Sequence, residues 1–136
     1  MDHIPDIDEL LESIASMRAA GTDTQAFEVK ACAHDLTKDI ARTLSAFSNA
    51  SGGVVLCGLD EARGFAPVPG FDAKRIQDAL AQCCTERMTP PVRPIIEMCL
   101  LDEAPVLVAY IPEMRPKDKP CYVTASGVYG GSFIRT

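Results

Sequence analysis

Apolar positions recur at helical spacing from the start of the chain. Ile7, Leu10, Leu11, Ile14 and Met17 share a face and Gly21 stops the pattern, which predicts a helix over residues 4–20. Residues 25–30 alternate instead, with Phe27 and Val29 on one side and Glu28 and Lys30 on the other, as in a strand. Helical spacing returns over residues 36–50. Its apolar stripe is Leu36, Ile40, Leu44 and Phe47, and its separate polar stripe is Lys38, Arg42, Ser45 and Asn49. Ser51-Gly52-Gly53 ends this second helix. The apolar run over residues 54–59 predicts a strand buried on both faces. A polar turn (60–64), a short strand (65–68) and a third helix (72–87, capped by Asp72) follow. Residues 93–101 and 106–111 read as a hairpin around 102–105, residues 112–120 as a loop, and 121–123 with 128–134 as a final hairpin. This order predicts an α+β fold, one mixed β-sheet with about three helices on at least one face.

Hydrophobic residues make up 47% of the chain and charged residues 24%, which excludes global disorder. The apolar runs are too short to span a membrane. The N-terminus lacks a basic segment followed by an apolar one, so the expected compartment is the cytoplasm. The net charge is −6, and five acids crowd the first twelve residues; the remainder carries 13 bases against 14 acids. Phosphate binding ordinarily brings a basic excess. Any nucleic-acid role here therefore uses a local patch, or basic segments elsewhere in a longer chain. The six cysteines form no C-x-x-C pair, which argues against a zinc ribbon or a redox motif and for reduced, buried thiols.

Three stretches carry a family resemblance: FEVK (27–30), IARTLSAFSNASGGVVLCGLDE (40–61) and KPCYVTASGVYGGSFIRT (119–136). In order and spacing they resemble the Schlafen-type Alba-like domain, also known as the divergent AAA or DNA-binding domain family. The resemblance covers residues 23–136, with residues 1–22 as a preceding amphipathic helix. It implies a Schlafen/Alba-like mixed sheet, the N-terminal part of a longer bacterial-type transcriptional regulator, and nucleic acid, DNA or RNA, as partner. Some relatives are described as ATP-binding, which makes ATP a further expected ligand. In vertebrate Schlafen proteins the domain cuts structured RNA with three acids. The matching residues here are Asp23, Glu28 and Glu61, as a catalytic and metal-binding set for Mg²⁺ or Mn²⁺, since hard cations take carboxylate oxygens.

Each candidate also has a structural reading. Glu28 and Lys30 are either a half-buried ion pair or a site acid beside a phosphate-contacting lysine. Asp23 is either a turn residue or a ligand. Lys38, Arg42, Asn49 and Arg135 are expected nucleic-acid contacts, and a solvated helix face is the alternative for the stripe. Ser48, Gly52, Gly53 and Asp60 are expected to border a polar crevice, where glycine admits a ligand close to the main chain; helix termination is the alternative. No phosphate-loop pattern is present. The leading helix either packs on the sheet or forms a homodimer contact.

Overall fold

The computed structural model describes residues 3–135; Met1, Asp2 and Thr136, part of the acidic start and of the last motif, lie outside the described residues. Helix α1 (Ile7–Ala20) begins three residues later than the apolar spacing implies, because Asp6 and Glu9 form a reciprocal capping box at its start. Gly21 closes it in the left-handed conformation, with its N–H donated to Met17 O. Strand β1 (Phe27–Lys30) leads through helix α2 (Ile40–Asn49) to strand β2 (Gly53–Cys57). The chain continues with β3 (Leu59–Asp60), β4 (Ala66–Pro67), helix α3 (Ala73–Glu86) and β5 (Met88–Thr89). It ends with β6 (Ile95–Leu101), β7 (Ala104–Ile111), β8 (Tyr122–Val123) and helix α4 (Gly127–Gly131).

The main sheet has the order β1-β2-β7-β6. Strands β1 and β2 are parallel and the other pairs antiparallel, so the sheet is mixed. Every residue of β2 is buried, as the continuous apolar run predicts. Period-2 alternation divides the core between the faces. Phe27, Val29, Val54, Leu56, Val106 and Val108 pack with Leu10, Ile14 and Met17 of α1. Val55, Cys57, Leu107 and Ala109 pack under Ile40, Leu44 and Phe47 of α2 and Ile76 and Leu80 of α3. The apolar stripe of α1 is thus a layer of the chain's own core.

Two expectations change. The connection between β6 and β7 is a two-residue turn, Asp102-Glu103, with both residues at positive φ, and β7 starts at Ala104. The expected final hairpin does not form as a ladder. Strand β8 pairs with β5, Met88 opposite Val123 and Thr89 opposite Tyr122, while residues 127–131 turn into α4. A single bridge between Tyr122 and Ser132 remains of that hairpin. The glycines at 127, 130 and 131 leave that segment few side chains with which to build a strand face.

Candidate nucleic-acid interface

On β1 the alternation sends Phe27 and Val29 into the α1 layer, while Glu28 and Lys30 lie in register with Val55 and Cys57, on the α2 side. Lys30 Nζ donates to Glu28 Oε1 and Asp39 Oδ2, each at 2.8 Å. Arg135 Nη1 donates to the other Glu28 oxygen at 2.8 Å. Burial pushes the Glu28 carboxyl up, but the hydrogen bonds from Lys30 and Arg135 outweigh it and hold the group below its usual value. Asp39 is likewise lowered, chiefly by Lys30.

Asp23 behaves in the opposite way. Its carboxyl hydrogen-bonds Glu28 and the Val29 backbone, and Glu61 adds negative charge nearby. Burial, followed by the Glu28 charge, pushes Asp23 up to about 6. Asp23 and Glu28 are therefore in contact, and Glu61, itself exposed, is within electrostatic reach. Among the described residues, however, no group of three His, Cys, Asp or Glu is placed to hold a metal ion, and both Glu28 oxygens are already engaged by cations.

The raised Asp23 gives a pH signature. A carboxyl with a folded pKa above its unfolded value contributes stability at pH below about 4, and this is lost as pH rises through about 6. Asp23→Asn removes that loss. The melting temperature of the variant should exceed that of the native chain at pH 8, and the advantage should vanish by pH 4. An equal difference at both pH values would show that Asp23 is not strained.

The motif block on α2 faces inward. Ser45 and Ser48 are fully buried and Asn49 is 9% exposed. Asn49 Nδ2 donates to Cys121 O and Phe133 O at 2.8 Å, and its Oδ1 accepts from Cys121 N at 2.7 Å. Ser45 Oγ donates to Cys121 O at 2.8 Å and accepts from Phe133 N at 3.0 Å. Arg135 then folds over the Phe47 ring, 4.9 Å from its centroid. It donates to the carbonyls of Thr24, Gln25 and Phe27 as well as to Glu28. The three stretches that carry the family resemblance therefore meet in one hydrogen-bonded clamp.

This corrects three expectations. The polar stripe of α2 splits: Lys38 and Arg42 are exposed, whereas Ser45 and Asn49 are tied to the C-terminal segment. Arg135 is a clamp residue whose donors are in use, not a free phosphate contact. The expected crevice does not gather its four residues. Gly52 lines a cavity of about 250 Å³ with Gln25, Ala26, Ala50, Ser51 and Arg135. Gly53 is glycine because the Phe47 ring lies against it, and an added Cβ would come within 2.2 Å of that ring. Ser48 Oγ donates to Leu44 O, and Asp60, beyond the opposite end of β2, caps the Ala62 N–H.

Cations gather elsewhere. Lys38, Arg42 and Arg87 line a groove of about 300 Å³ with Ser126 and Phe133. The Arg42 guanidinium lies 4.9 Å from the centroid of the Phe133 ring. Asp39 also borders the groove, but its carboxylate is paired with Lys30. Lys38, Arg42, Arg63, Arg87, Arg93 and Lys117 have no carboxylate partner among the described residues, and three of these six line this one groove. Sequence reasoning finds Lys38 and Arg42 but misses Arg87. That residue follows α3, and Thr124 N donates to its carbonyl, a contact between distant segments that no local pattern encodes.

The comparisons agree with this architecture. Residues 23–136 match the Schlafen, AlbA_2 family, and the chain belongs to it. The solution NMR structure of the N-terminal domain of a RecG-related protein from Nitrosomonas europaea, a candidate ATP-dependent DNA helicase, is similar. It has 30% identity and a TM-score of 0.71, and the match covers 92% of this chain and 86% of that one. The crystal structure of the DIP2311 protein from Corynebacterium diphtheriae shares the fold at 18% identity and a TM-score of 0.56. That match covers 87% of this chain but 27% of the larger protein. No functionally curated protein shows significant similarity to the chain.

Proposed function

We propose that this domain binds nucleic acid, as a module of a longer regulatory protein, through the groove of Lys38, Arg42 and Arg87. The observation that carries this reading is the gathering of three cations without carboxylate partners on a chain whose net charge is −6. Family membership and the likeness to a domain of a helicase-related protein support it. Each cation that neutralises a phosphate releases a counterion, so the affinity is expected to fall steeply with salt.

The test is fluorescence anisotropy of labelled DNA and RNA oligonucleotides at low and moderate salt. Replacing Lys38, Arg42 and Arg87 together by Gln should weaken binding by at least ~10-fold without changing the melting temperature, since all three side chains are exposed. Unchanged affinity in the triple variant would remove the groove from the interface.

A second reading, metal-dependent cleavage at Asp23, Glu28 and Glu61, is favoured by the contact between Asp23 and Glu28 and by the charge of Glu61 beside them. The same mixtures supplied with Mg²⁺ or Mn²⁺ address it. Cleavage that Glu28→Gln abolishes would establish it, and intact oligonucleotides would dismiss it.

A further inference from the structure

The groove has an unusual neighbour. Tyr129 is 100% exposed, on the short helix α4. It lies three residues, one helical turn, beyond Ser126, which lines the groove. Phe133, two residues past the end of α4, lines it too. No packing, hydrogen bond or ion pair of the fold accounts for the Tyr129 ring. The glycines at 127, 130 and 131 leave the surroundings of the ring bare of larger side chains.

From this placement we infer that the ligand is a single strand, with its phosphates on Lys38, Arg42 and Arg87 and an unpaired base stacked on Tyr129. The inference rests on the nucleic-acid reading above and names the form of the ligand. Two physical arguments select a single strand. First, a base offers its π-face to a protein ring only when it is not stacked inside a duplex, and exposed aromatic rings beside a cationic groove are the usual means of holding unpaired strands. Second, the cationic footprint is small and concave. Three charges around about 300 Å³ can follow a flexible backbone at close range. A duplex is a stiff cylinder that would spread over a protein surface with no overall basic excess beyond the groove. Arg42 already lies over Phe133, so the groove has a planar cation-aromatic floor continuous with the Tyr129 platform.

The experiment compares four probes of equal length by anisotropy in low salt: a mixed-sequence single strand, its duplex, an abasic single strand, and the single strand with Tyr129→Ala or Tyr129→Phe protein. The full exposure of Tyr129 means that both variants fold as the native chain does. The expected result is preference for the single strand over the duplex and weaker binding of the abasic strand. Loss in Tyr129→Ala should be roughly 5- to 150-fold, the effect of removing one stacked base, with binding retained in Tyr129→Phe. A duplex that binds as tightly as the single strand, or a Tyr129→Ala protein with native affinity, would overturn the inference. If duplex binding is nonetheless lost with the Lys38, Arg42 and Arg87 substitutions, the groove stands as a nucleic-acid site and only its single-strand assignment falls. No binding of any probe would remove the nucleic-acid reading itself.

Discussion

Asn49→Ala should destabilise the domain by about 3 kcal/mol, seen as a lower urea midpoint with an unchanged slope. Its amide is buried and makes three contacts of 2.7–2.8 Å to the backbone of Cys121 and Phe133. Truncation leaves the Cys121 N–H without a partner in the core and frees the Phe133 carbonyl. Each buried orphan costs about 1–3 kcal/mol. The Cys121 carbonyl keeps Ser45 Oγ, which limits the loss. Asn49→Asp is the sharper variant. It preserves shape and the acceptor facing Cys121 N, but it turns a carboxylate oxygen toward two carbonyl oxygens. It should be at least as damaging as the alanine at pH 7. A loss below ~1 kcal/mol in both would mean that the clamp does not hold the C-terminal segment.

Arg135→Ala should remove about 2 kcal/mol at pH 7. The guanidinium joins Glu28 to three backbone carbonyls and covers Phe47. Its removal leaves Glu28 with Lys30 as its remaining cation. Arg135→Lys should recover only part of the loss, because a point charge cannot serve the same set of acceptors as the planar fork. The pH dependence follows from the lowered Glu28 carboxyl. Stability from such a group is present above its unfolded value near 4.5 and lost as pH falls through the lower folded value. The cost of Arg135→Ala should therefore shrink on acidification. A cost that stays constant down to pH 3 would show that Arg135 acts only through its backbone and ring contacts.

The parts of this fold that were legible in the sequence are those specified by local pattern. Helix α1 follows from the repeat of Leu10, Ile14 and Met17, β2 from its unbroken apolar run, and the long β6–β7 hairpin from two apolar stretches around a short polar turn. What was not legible depends on contacts between distant segments. Tyr122 and Val123 pair with Met88 and Thr89, so the local reading of a terminal hairpin fails. Ser45 and Asn49 look like solvated polar residues because their partners are backbone groups more than seventy residues further along the chain. The same distance hides the role of Arg135 and the arrival of Arg87 beside Arg42. Conversely, Glu28 and Lys30 were legible as a half-buried ion pair from the alternation of β1 alone.

A division of labour runs through these residues. The side chains that make the family recognisable hold the C-terminal segment against α2 and β1, while the exposed cations beside them are the proposed means of contact with a ligand. Thermal unfolding with and without a saturating oligonucleotide tests this division directly, because a ligand raises the melting temperature only of a protein that binds it in the folded state. The Asn49→Ala protein should melt lower than the native chain yet show the native rise on adding ligand. The Lys38, Arg42 and Arg87 triple glutamine variant should melt as the native chain does and show no rise. The reverse pattern, with the rise lost in Asn49→Ala and kept in the triple variant, would place the ligand at the clamp and contradict the division.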